Sequence, residues 1–188
     1  MVAYETTPAP TLDAENSWPT TSELVRDPQL PTLIMFVHPH CPCSRSSLSE
    51  LAILASQCAN RVSLRIIFVV PAGFPEGWQE AGLWKSAHQI PGAAVLSDHE
   101  GIEADRFRAL TSGETFLYAA DGQLLFHGGV TASRGHEGES SGRTALTALI
   151  NQGVAQQNQS CVYGCPLSSR SCPQVQTSNH VSDPPRAQ

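Results

Sequence analysis

Positive charge is scarce in this chain: 11 lysines and arginines stand against 17 aspartates and glutamates, a formal net charge of −6. Such a balance offers no basic surface for a phosphate backbone and excludes nucleic acid as a bulk electrostatic partner. Long apolar runs are missing as well. None approaches the roughly 18 residues that a membrane-spanning helix needs, so no transmembrane segment is expected. The opening residues, MVAYETTPAPTLDAENSWPTTSEL, have neither a basic start nor an apolar centre and do not read as a signal peptide. Six cysteines in 188 residues are too few to staple a chain of this size. Their grouping at 41 and 43, and at 161, 165 and 172, with 58 alone, suits chemistry better than scaffolding. The redox compartment stays open.

What is present suffices for one domain with a real core, the hydrophobic fraction being 40%. Residues 1–28 read as an irregular leader broken by Pro8, Pro10, Pro19 and Pro28. Residues 29–151 carry the regular patterns. Residues 152–188, rich in Gln, Ser, Asn and Pro with little to bury, predict a largely disordered, cysteine-containing tail. Within the middle segment, Thr32–Val37 and Ser63–Val70 read as buried strands, and Ala93–Leu96 as a short one. Thr115–Ala119 and Gln123–His127 form a hairpin through Ala120-Asp121-Gly122. Helical patterns cover Trp78–Ala87, Ala104–Leu110 and Arg143–Asn151. Two strand–helix–strand units imply parallel, right-handed crossovers, and the hairpin adds antiparallel strands. The expected fold is α/β, a mixed central sheet covered by helices on both faces.

The richest stretch is TLIMFVHPHCPCSRSSLSELAILA, residues 32–55. A buried strand ends in His38-Pro39-His40. Then come Cys41-Pro42-Cys43 and a helical pattern marked by Leu48, Leu51, Ala52, Ala55 and Cys58. The cysteines thus sit at a helix N-terminus, where unpaired N–H groups and the positive end of the dipole favour a thiolate. His38 and His40 flank them as candidate charge neighbours, bases or metal ligands; the plain alternative is two exposed loop histidines. Arg45 adds positive potential in the first turn unless it is merely solvated. Cys58, on the apolar helix face, reads as a packed small hydrophobe.

These elements resemble the thioredoxin superfamily, in its TlpA-like and peroxiredoxin-like branch. The stretch AVLSDHEGIEADRFRALTSGETFLYAADGQLLFHGG is similar to that branch along its length. More narrowly, HPHCPCSRSSLSEL, FLYAADGQLLFHGGVTASRGHEG and YGCPL resemble the bacterial RedB-like proteins. The resemblance covers about Pro31 to Ile150 and a few tail residues, and implies a thioredoxin-like three-layer α/β/α fold. It also implies an extracytoplasmic or periplasmic setting, against the lack of a visible signal peptide.

By that resemblance Cys41 is the exposed nucleophile of a thiol–disulfide oxidoreductase and Cys43 its resolver. The implied substrate is a protein or small-molecule thiol or disulfide, and no cofactor is needed. The family spaces its cysteines by two residues, and this chain by one. A disulfide across a single residue is strained and easily reduced, which points to an oxidant or isomerase-like exchanger. Aligning TFLYAADG with the first hairpin strand puts Glu114 where the family has a cis-proline, beside the cysteines. A carboxylate there would raise the thiol pKa, relay a proton or ligate a metal; otherwise it faces outward. His136 and Glu137, in the loop expected at the carboxyl ends of the parallel strands, are candidate site groups, whereas His127 reads as structural. Cys161 and Cys165 are candidate redox partners from the tail: they reach the site, pair with each other, or complete a metal site. Two other chemistries stay open. One is copper or another soft metal held by Cys41 and Cys43 with His40 or His136, as in the superfamily's copper-delivery members. The other is a thiol peroxidase, weakened because His38 stands three residues before Cys41, where peroxiredoxins have Thr or Ser.

Overall fold

The computed structural model describes residues 2–75, 77–80 and 82–167. In chain order the elements are α1 (Val2–Thr6), β1 (Thr32–Val37), α2 (Ser44–Gln57), β2 (Ser63–Val70) and α3 (Gly82–His88), then β3 (Ala93–His99), α4 (Ile102–Arg106), β4 (Glu114–Tyr118), β5 (Leu124–Gly128) and α5 (Ser141–Gln152). The strands form one sheet in the order β3-β2-β1-β4-β5. β1, β2 and β3 run parallel, β4 runs antiparallel to β1, and β5 antiparallel to β4.

β1 is buried along its whole length because it is central and covered on both sides. Its alternate residues serve opposite faces. Leu33, Met35 and Val37 pack with Leu48, Leu51 and Leu54 of α2 and Leu146 and Ile150 of α5. Ile34 and Phe36 pack with Phe107, Phe116 and Tyr118 on the other side. The arrangement is the expected three-layer α/β/α fold. Truncating a central residue such as Leu51 would remove about 2–5 kcal/mol.

Local chemistry moves some boundaries. The helix expected from Ala104 begins at Ile102, because Gly101 turns in the left-handed region (φ 72°) and the Asp98 carboxylate accepts from the N–H groups of Glu103 and Ala104. β3 accordingly extends to His99, beyond the expected end at Leu96.

The two flanks differ more. The leader is largely irregular but docked: Trp18 meets Phe107 and Tyr118 edge-on, each at 5.2 Å, and Leu124 N–H donates to Asn16. The tail expected to be disordered is laid down as a strap as far as residue 167. His127 N–H donates to Asn158 (3.0 Å), Ser160 N–H to His127 (3.3 Å) and Leu167 N–H to Leu110 (2.9 Å), while Val162 and Leu167 are buried. A polar strap is stable there because it covers backbone groups of the edge strand β5 that water would otherwise satisfy. Glycines permit the approach: a Cβ on Gly128 would lie 2.3 Å from Ser160 Oγ, and one on Gly164 1.9 Å from the Ser112 carbonyl oxygen. Cys172 lies outside the described residues. Among the described residues no helix is long and apolar enough to cross a membrane.

Candidate functional site

β1 ends at Val37, and the chain turns through His38–Cys41, with Cys41 N–H donating to His38 (3.1 Å) and Ser44 N–H to Cys41 (3.1 Å). Helix α2 begins immediately, with Cys43 at its N-cap, no side-chain cap and no acidic residue in the first turn. The positive end of its dipole is therefore not neutralised from within the helix.

Three sulfurs meet at this point. The Sγ atoms of Cys41, Cys43 and Cys165 all lie within 4.8 Å of one another. Cys165 arrives on the strap, fixed by a 2.8 Å bond from Ser112 N–H to its carbonyl. The reach of the tail into the site was one of three courses open to Cys161 and Cys165, and only Cys165 takes it. Cys161 is exposed, and all five described cysteines are free thiols.

The three differ electrostatically. Burial opposes ionisation of Cys41, but hydrogen bonds from the Ser44 hydroxyl, the Cys165 thiol and the N–H groups of Cys165 and Ser44 prevail and bring it below an ordinary thiol. A relay stands behind the Ser44 hydroxyl. His38 N–H donates to Ser112 Oγ (2.7 Å), and Ser112 Oγ lies 2.6 Å from Ser44 Oγ. With its oxygen already accepting, Ser112 is placed to donate to Ser44, which leaves the Ser44 proton for the sulfur. Cys43 is raised by burial and by the charge of Cys41, partly offset by Arg134. Cys165 is pushed up to about 12 by burial, by its bond to Cys41 and by the two neighbouring sulfurs, again against Arg134. Of the three, Cys41 is therefore the sulfur that ionises most readily. Cys41 is only 2% exposed, so the expectation of an exposed Cys41 is corrected: it lies beneath the strap, and Cys43 and Cys165 are the half-buried members.

Glu114 is placed differently from expectation. It opens β4 opposite Phe36, so its side chain leaves the sheet on the face away from α2. It is 0% exposed, with Oε2 accepting from Leu110 N–H (2.9 Å) and Thr111 N–H (3.0 Å) and Oε1 2.7 Å from His127 Nε2. Its partners are thus the loop before β4 and His127 rather than the cysteines. Ser112 and Gly113 occupy the place beside α2 instead: a Cβ on Gly113 would come within 2.9 Å of Ser47 Oγ. No peptide bond there is cis.

The histidines stay outside the sulfur cluster. His136 and Glu137 are exposed loop residues. His40 is exposed and packs its ring at 4.4 Å from Trp78, while His38, pulled down by burial and by His40, stands 5.7 Å from the same indole. The ligand set of two cysteines with His40 or His136 is therefore not assembled, and Cys165 takes the third place.

Sequence reasoning missed Ser44, Ser112 and Arg134. Arg134 Nε donates to the Tyr4 carbonyl (3.1 Å), Nη2 to Thr7 (3.4 Å) and Nη1 to Gly164, so one guanidinium clamps the leader to the strap while its charge acts on Cys43 and Cys165. The signal was only that Arg134 is the sole arginine or lysine of the 129–140 loop. A cleft of about 190 Å³ beside it is lined in part by Tyr4, Pro10, Leu110 and Cys165.

No protein-family model and no curated protein matches the chain. Among solved structures it is similar to an uncharacterized conserved protein from Geobacillus kaustophilus, with 26% identity, 87% of this chain and 90% of that one covered, and a TM-score of 0.61. It is also similar to a hypothetical protein from Sinorhizobium meliloti 1021, with 25% identity, 73% and 78% covered, and a TM-score of 0.60. A thioredoxin-like protein solved in its oxidized form overlaps more loosely, with 16% identity, 79% and 95% covered, and a TM-score of 0.47. The narrower RedB-like resemblance finds no counterpart among these. Three parallel strands joined by helical crossovers, an antiparallel hairpin beside the central strand and cysteines at the first strand–helix junction give this chain a thioredoxin-like fold.

Proposed function

We propose that this protein carries out thiol–disulfide exchange with Cys41 and Cys43 as its working pair. The observation that carries the reading is the hydrogen-bonded sulfur of Cys41 at the open N-terminus of α2, with another thiol within 4.8 Å. In the exchange, the Cys41 thiolate attacks one sulfur of a substrate disulfide. A mixed disulfide forms and the substrate's other sulfur leaves as a thiolate that takes a proton. Cys43, losing its own proton, then attacks Cys41, releases the second substrate thiol and closes the Cys41–Cys43 disulfide. The substrate disulfide is reduced and the protein dithiol oxidised; the same steps run in reverse oxidise a substrate dithiol. Because Cys41 is 2% exposed, a protein substrate reaches it only when the strap moves aside, whereas a small disulfide needs a smaller opening.

The test is turnover of a small and a protein disulfide by metal-free, reduced protein. Cys41→Ser is expected to abolish exchange, and Cys43→Ser to accumulate the mixed disulfide at Cys41. Exchange at the wild-type rate in Cys41→Ser overturns the reading.

A further inference from the structure

We propose that Cys41, Cys43 and Cys165 form a three-thiolate site for a single cuprous ion. The proposal goes beyond the exchange reading and does not depend on it. Thiolates bonded to a common ion at about 2.3 Å stand about 4 Å apart when three surround it. The three sulfurs already lie within 4.8 Å of one another, close to that spacing.

Both supports are fixed before any ion arrives. Cys43 is the N-cap of a 14-residue helix, and Cys41 lies in the hydrogen-bonded turn that leads into it. Cys165 is held between the bonds from Ser112 N–H to its own carbonyl and from Leu167 N–H to Leu110 (2.8 and 2.9 Å), with Gly164 packed on Ser112. The ligand set decides the ion. Thiolate sulfur selects soft cations, cuprous copper and zinc foremost. Structural zinc takes four ligands, and among the described residues no His, Asp or Glu joins the three sulfurs. Three soft ligands suit cuprous copper. A single positive charge leaves the cluster at −2, which the Arg134 guanidinium beside Cys43 and Cys165 and the N-terminus of α2 offset. Binding replaces thiol protons with the ion and changes no oxidation state.

The experiment titrates the full, reduced chain with cuprous ion under anaerobic conditions, in competition with a chromogenic cuprous chelator, and records copper X-ray absorption. One ion per chain with a first shell of three sulfurs is expected. Cys165→Ser should weaken binding on the order of 100-fold and leave two sulfurs. Cys161→Ser, which alters the same strap outside the cluster, should change neither readout. Fewer than three sulfurs in the wild type, or wild-type affinity in Cys165→Ser, overturns the proposal, as does preferential retention of four-coordinate zinc. Disulfide exchange measured on the same metal-free protein separates the two readings: copper lost with exchange intact removes only this one, and exchange lost with the three-sulfur shell intact removes only the other.

Discussion

Ser44 shows how one hydroxyl sets the chemistry of a sulfur. Burial alone would raise the Cys41 thiol, and the Ser44 side chain is the largest of the groups that reverse the shift. A hydrogen bond to a charged group is worth about 1.5–3 kcal/mol, and one pKa unit corresponds to about 1.4 kcal/mol. Ser44→Ala should therefore move the Cys41 alkylation profile to more alkaline pH by roughly one unit, because the thiolate loses its donor while the thiol loses nothing. The pH dependence of Cys41 alkylation in metal-free protein reads this directly; an unmoved profile would take the serine relay out of the site. Glu114 makes the opposite case. Its carboxylate belongs to Leu110, Thr111 and His127, so Glu114→Gln should leave the Cys41 profile unchanged. Glu114→Ala strands those buried donors and should lower unfolding free energy by about 2–4 kcal/mol in denaturant titration. A profile moved by the glutamine variant would return the carboxylate to the neighbourhood of the cysteines.

At the level of elements, the strand–helix junction at Cys41 was legible in sequence because apolar spacing changes there from a continuous buried run to a helical repeat. The hairpin was legible from Ala120-Asp121-Gly122, and its turn closes with Gly122 at φ 95°. What the hairpin could not give was the face on which Glu114 projects, since one step of register turns every side chain over. The strap was illegible for another reason. Its hold comes from backbone bonds to His127, Ser112 and Leu110 and from glycine-permitted contact, and neither leaves a periodic apolar signature. That mechanism makes Gly164 decisive. A Cβ there meets the Ser112 carbonyl oxygen at 1.9 Å, so Gly164→Ala should push the strap off the α2 N-terminus without touching a sulfur. Labelling of Cys41 by a bulky maleimide, negligible in the wild type at 2% exposure, should become rapid, with about 1–3 kcal/mol of stability lost to overpacking. Slow labelling in this variant would mean that something other than the strap covers Cys41.

Across the whole molecule, the two chain flanks are tied to each other as well as to the sheet. Ala9 N–H donates to Val162 (2.8 Å), the Thr111 hydroxyl to Pro10 (2.8 Å), and Arg134 binds carbonyls of Tyr4, Thr7 and Gly164 while its guanidinium lies 4.7 Å from the Tyr4 ring centre. Leader and strap therefore form one cover over the thiol end of the sheet, with Arg134 as its common fastening. A planar fork with several fixed donors is needed to satisfy three carbonyls at once, and a lysine ammonium does not reproduce that geometry. Arg134→Lys should keep the positive charge near Cys43 and Cys165 yet loosen the cover, and Arg134→Gln should remove both. Hydrogen exchange is expected to speed up in both variants at residues 4–10 and 160–166 together, while β1 and α2 keep their protection. The two substitutions then part: the thiols of Cys43 and Cys165 should titrate at still higher pH in Arg134→Gln, because the offsetting charge is gone, and stay close to wild type in Arg134→Lys. Exchange that quickens at only one flank would show that leader and strap open separately, and that access to Cys41 is controlled by the strap alone.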